Sequence, residues 1–80
     1  MITLDDILAE TLPKRFLLVR TEDISGSSGV GRVADGIQFT DGAAVIRWNT
    51  ATSSTAVYES VEAIIEIHGH NGATKILWID

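Results

Sequence analysis

The chain has 80 residues, a formal charge of −5 and a pI near 4.7, with 45% apolar residues and no cysteine. A chain of this length forms one small domain that buries only about 60–65% of the surface its unfolded form exposes, so a single thin core must hold it. The missing cysteine excludes disulfides and thiolate metal sites, and the acidic balance argues against a nucleic-acid binder that works through bulk charge.

Stability must therefore come from packing or from oligomerisation. No apolar run reaches the roughly 20 residues that a membrane helix needs, and no basic stretch followed by an apolar core opens the chain. These features predict a soluble, cytoplasmic protein without membrane contact.

In chain order, residues 1–12 carry a helix start. Thr3 is a natural N-cap, Asp6 completes a capping box, and Ile2 with Ile7 occupies the positions of a hydrophobic staple. Asp5 and Asp6 suit the positive end of the macrodipole, and Pro13 stops the helix at Leu12. A helix of under three turns is marginal alone, so its stripe of Leu4, Ile7, Leu8 and Thr11 needs a surface. The chain's own sheet is the expected surface, with a second copy or a partner as the alternative.

Residues 14–21 form the first strand, and the apolar run from Phe16 to Val19 implies cover on both faces. Residues 21–29 are a polar loop rich in glycine and serine. Asp41 and Gly42 then lie between two alternating runs, the signal for a hairpin with a two-residue turn. That turn sets Phe39 opposite Ala44, Ile37 opposite Ile46 and Asp35 opposite Trp48, with those apolar residues facing the core. Gly36 reads as a bulge that bends a long strand, with a second tight hairpin as the alternative. Residues 49–55 are a hydroxyl-rich loop and residues 56–58 a short strand.

Residues 60–69 admit two patterns. As a helix, Ser60 caps the N-terminus and Val61, Ile64, Ile65 and His68 make a buried stripe. As a strand, Val61, Ala63, Ile65 and Ile67 alternate, and Asn71 with Gly72 forms a hairpin turn. The Ser60 cap decides for the helix, followed by an extended segment over residues 73–79.

Chemistry is sparse. His68 and His70, the only histidines, could share a metal from a strand, but a zinc site wants three or four protein ligands, and acids such as Glu66 or Asp80 would join only in a favourable fold. They also lack an identifiable nucleophile to activate. One packed histidine and one turn histidine is the plainer expectation. The loop over residues 26–31, GSSGVG, has the composition of a phosphate cradle, yet a strand follows where such loops need a helix N-terminus. Arg20, Arg32 and Arg47 could cluster on the outer sheet face, without the aromatic platform that single-stranded nucleic acid requires. Glu59, Glu62 and Glu66, with Asp5, Asp6 and Glu10, could form acidic faces for a basic partner, although a solvated face explains them as well. No metal, cofactor or catalytic residue is assigned.

The runs FLLVRTEDISGSSGVGRVADGIQFTDG, VIRW, STAVYES and HGHNGATKILW resemble a group of small proteins of actinobacteria and their phages. The likeness covers about residues 16–78, leaving out the N-terminal helix. No activity is established for that group, so no functional residue follows from it. It implies an accessory protein acting in a bacterial cytoplasm during phage infection.

The expected fold is α+β: a strongly bent antiparallel sheet of about five strands, an SH3-like or partly open barrel closed by the last strand. The N-terminal helix and the helix over residues 60–69 would cover its open sides. The expected core is Phe16, Leu18, Val30, Ile37, Phe39, Ile46, Trp48, Tyr58, Ile65, Ile76 and Trp78. The expected function is a non-enzymatic module that binds a host protein or a second copy of itself as a dimer. Val45, Leu77 and Ile79 are left over as apolar surface for such contacts. The candidate surface comprises Ile7, Leu8, Ser27, Ser28, Arg47, His68, His70 and Asn71. The alternative is a protein that sequesters a small ligand or nucleotide between the glycine-serine loop and His68 with His70. A metal-dependent hydrolase is a weaker third.

Overall fold

In the computed structural model, residues 1–21 and 30–80 are described. Their elements are α1 (Leu4–Leu8), β1 (Lys14–Arg20), β2 (Gly31–Gln38), β3 (Ala44–Trp48), β4 (Thr55–Tyr58), α2 (Val61–His68), a single 3-10 turn (His70–Gly72) and β5 (Thr74–Trp78). The strands make one antiparallel sheet in the order β4-β3-β2-β1-β5. The α+β class is as expected. The sheet does not close: β5 adds to the free side of β1 and leaves β4 at the opposite edge.

The capping box of α1 forms. The Thr3 hydroxyl accepts from the Asp6 N–H at 3.2 Å, and the Asp6 carboxylate accepts from the Thr3 N–H at 2.9 Å. Those two bonds also hold the Asp6 pKa below its ordinary value, the backbone donor contributing most. The helix is nevertheless short, ending at Leu8, and buries no residue. It does not dock on the sheet, contrary to expectation. A radius of gyration of 14.6 Å, against about 12 Å for a compact chain of this length, goes with this extension.

The hairpin between β2 and β3 differs from the expected one by a single residue. Gln38 pairs with Ala44, Ile37 with Val45, Gly36 with Ile46 and Asp35 with Arg47. The connection is a three-residue loop, closed by the Phe39 N–H on the Ala43 carbonyl at 2.8 Å, with Gly42 at φ +95° as its last residue. Asp41 accepts from the Ala43 N–H at 3.0 Å and fixes the turn. Asp-Gly suits this bulged three-residue loop as well as the two-residue turn. Because side chains alternate, the shift moves Ile37 and Phe39 off the core face. Both are exposed, as are Val30, Ile65 and Trp78 among the other expected core residues.

The core instead consists of Phe16, Leu18, Val33, Ala34, Ala44, Ile46, Val61 and Ile64, flanked by Trp48, Ala56, Tyr58 and Ile76. Gly36 is not the bulge. The register of β1 against β2 shifts between Leu18 and Val19, which leaves Val33 as the extra residue and buries both Val33 and Ala34. Gly36 sits in regular strand opposite Phe16, and a Cβ there would stand 2.3 Å from the Phe16 ring. The ring, fully buried, occupies the space that the missing side chain leaves. Trp78 meets its other side edge-on, with ring centres 5.3 Å apart.

The helix over residues 60–69 forms as expected. Ser60 caps it by accepting from the Ala63 N–H at 3.1 Å, and Val61 and Ile64 turn into the sheet. This eight-residue helix covers one face of the sheet. Among the described residues no helix covers the other, and Leu17 and Val19 are half-buried rather than enclosed on both sides.

Gly36→Ala should therefore cost about 1–3 kcal/mol, the range for overpacking a filled core. Urea denaturation measures it, and a Phe16→Leu background should recover part of the loss, since the clash is with the ring.

Candidate functional site

Alternation along the strands decides what reaches the uncovered face. It receives Arg15 and Leu17 from β1, Asp35 and Ile37 from β2, Val45 and Arg47 from β3, Thr55 and Val57 from β4, and Leu77 from β5, with Ile79 just beyond. A freely solvated sheet face is mostly polar; here Leu17, Ile37 and Val45 make the middle of the face apolar.

A groove of about 410 Å³ runs across this face. Leu17, Ile37, Val45 and Ile79 supply its apolar lining, and Arg15, Arg32, Arg47 and Asp35 its charges. Arg15 donates from Nη2 and Nε to the Asp80 carboxylate, at 2.7 and 3.0 Å, and its backbone N–H donates to the same carboxylate at 2.9 Å. The side-chain bonds first, and the backbone bond second, hold the Asp80 pKa down to about 2. Arg32 meets Asp35 at 3.5 Å. Arg47 donates to the Thr55 hydroxyl at 3.0 Å and, among the described residues, has no carboxylate partner.

The arginine cluster is thus not the one expected. Arg20 lies on the covered face, 2% exposed, with its Nε donating to Thr74 Oγ1 at 2.9 Å. Its Nη1 is buried and has no hydrogen-bond partner among the described residues. Arg15 takes its place. The signal was present in the sequence, because Arg15 alternates with Leu17 and Val19 while Arg20 keeps the phase of Phe16 and Leu18.

The histidines lie away from the groove. His68 closes the covered side: its Nε2 shares a 2.8 Å hydrogen bond with the Tyr58 hydroxyl, and Trp48 meets it edge-on at 5.0 Å. Burial above all, then the positive charge of Arg20 and the neighbouring His70, lowers its pKa. His70 and Asn71 adopt left-handed φ values of 49° and 55°, followed by Gly72 at 94°. This sequence of conformations turns α2 into β5, with the Gly69 carbonyl accepting from both Gly72 and Thr74.

The expected surface residues consequently divide. Arg47 is in the groove, Ile7 and Leu8 are on the free helix, and His68, His70 and Asn71 are on the covered side and its corner. Ser27 and Ser28, with most of the glycine-serine loop, lie outside the described residues. No group of three histidine or carboxylate side chains able to hold a metal occurs among the described residues. Among the described residues no helix is long and apolar enough to cross a membrane.

Fold and groove together define a small α+β protein in which no described element covers one face of the sheet. Residues 13–80 match the family model described as Acb5 phage protein, and the chain belongs to that family. The match begins where the helical arm ends. No curated protein and no solved structure matches the chain.

The pKa of His68, lowered in the folded state, gives a signed pH dependence. The unfolded chain binds this proton more readily, so the contribution is present above the unfolded value of about 6.5 and lost as pH falls below it. Melting temperature should fall between about pH 7.5 and pH 5.5, and His68→Gln should flatten that slope.

Proposed function

We propose that this phage accessory protein works by binding rather than by catalysis, and that the open face of the sheet is its recognition surface. The single observation carrying this reading is the groove itself: an apolar floor of Leu17, Ile37, Val45 and Ile79 set among Arg15, Arg32 and Arg47. A sheet face left bare of helix normally turns polar side chains to water, and an apolar patch rimmed by charge marks an interaction surface. The complementary partner is a protein segment with apolar side chains and carboxylates. Arginine suits it because its planar fork engages carboxylates at two points.

An anionic small molecule such as a nucleotide is the second reading. The volume of about 410 Å³ and the three guanidinium groups favour it. Its location would be this groove rather than the neighbourhood of His68, whose ring is already engaged by Tyr58 and Trp48.

Affinity capture from infected host cells tests the first reading with paired variants. Arg32→Glu with Arg47→Glu should lower recovery of the partner at least about tenfold, the loss of about 1.4 kcal/mol. His70→Ala, remote from the groove, should leave recovery unchanged. Equal capture by the groove variant, or none by the wild type, would count against the reading.

A further inference from the structure

Two surfaces of this chain lack a partner among the described residues, and each has what the other needs. Residues 1–12 contain Asp5, Asp6 and Glu10 and no lysine or arginine. In the same segment Ile2, Leu4, Ile7, Leu8 and Leu12 are all exposed, Leu4 by 82% and Leu8 by 66%. The groove presents the inverse: an apolar floor with Arg15, Arg32 and Arg47 around it. Across the same face, Val57 and Leu77 are exposed by 76% and 56%.

We propose that the N-terminal arm of one copy docks in the groove of a second copy, reciprocally, to form a two-fold symmetric dimer. The inference rests on the open sheet face being the binding surface, as argued above, and names its resident occupant. Charge complementarity is the first argument. The acidic arm brings three carboxylates to a rim whose Arg47 has no carboxylate partner among the described residues. Complementary charge of this kind fixes orientation and discriminates among partners.

Pre-organisation is the second argument. The capping box gives α1 its first turn before it touches anything, which lowers the ordering cost of docking. A five-residue helix is marginal alone in water, so docking its exposed apolar side chains would stabilise it.

Chain direction is the third. Pro13 biases Leu12 away from helical backbone, and the elongated extents of 54 × 24 × 18 Å go with an arm that extends away from the sheet. The neighbouring Arg15 is itself part of the groove, only two residues past Pro13. Reaching a second copy needs no reversal of the chain. Exchange of identical segments also doubles the contact, because each protomer gives an arm and receives one. That brings the interface towards the roughly 800 Å² per partner of a stable complex.

Sedimentation equilibrium on the full chain tests the proposal. The wild type should have a mass of about 17 kDa, twice the 8.6 kDa of one chain. Ile7→Asp with Leu8→Asp should return it to the monomer mass with an unchanged circular dichroism spectrum, since neither side chain is buried in the isolated chain. Arg32→Glu with Arg47→Glu should do the same. Adding Asp5→Arg and Glu10→Arg to that groove variant, which leaves the Thr3–Asp6 capping box in place, should restore the dimer, a rescue that a merely structural role for the arginines does not give.

A wild type that stays monomeric at every concentration overturns the proposal, and so does a dimer that survives both paired variants. A monomer in which the arm cross-links to its own groove overturns it in favour of docking within one chain. A monomeric wild type that still captures a host partner through Arg32 and Arg47 overturns only this inference. A dimer that captures nothing overturns only the preceding one.

Discussion

The ring of Phe16 lies over the backbone of Gly36, and the arrangement of the sheet follows from that contact. No other residue type at position 36 leaves room, because a Cβ would stand 2.3 Å from the ring. With Phe16 opposite Gly36 and Gly36 opposite Ile46, the three central strands commit Phe16, Leu18, Ala34, Ala44 and Ile46 to one face. Alternation then commits Leu17, Ile37 and Val45 to the other. The single helix that follows β4 is eight residues long and covers the first face. The second face is left with an apolar centre and arginines around it.

Much of this was legible in the sequence. Both helix starts were, because a cap is a local feature: Thr3 with Asp6 and Ser60 with Ala63 form the bonds that their spacing predicts. The strand count and the last strand were also legible from their alternating runs. The hairpin register was not, because Asp41 and Gly42 serve a two-residue and a three-residue loop alike. The choice between them is made elsewhere, by the fit of Phe16 over Gly36 and of small Ala34 and Ala44 beneath their neighbours. One residue of slip carried Ile37 and Phe39 to the opposite face and changed which side of the sheet is apolar. The destination of α1 was equally illegible. An amphipathic stripe states that a helix needs a surface and not whose surface it is.

For function, the consequence is a change of place. His68 and His70 stand out in a chain with no cysteine, yet one completes a cluster with Tyr58 and Trp48 and the other shapes the corner before β5. The groove draws on residues that look ordinary in sequence: Arg15, Arg32, Arg47, Leu17, Ile37 and Val45. They lie on three strands and meet only through the register. Membership of the Acb5 phage protein family covers this whole assembly, residues 13–80, and ends at the arm.

The register is the claim on which the rest depends, and proton NMR of the full chain tests it most directly. The account predicts that an α-proton of Gly36 is shifted far upfield by the Phe16 ring and shows strong cross-relaxation to its ring protons. Cross-strand contacts should pair Gly36 with Ile46 and Ile37 with Val45. Gly36 α-protons at ordinary shifts, with Ile37 instead paired to Ile46 and in contact with α2, would contradict it and close the groove.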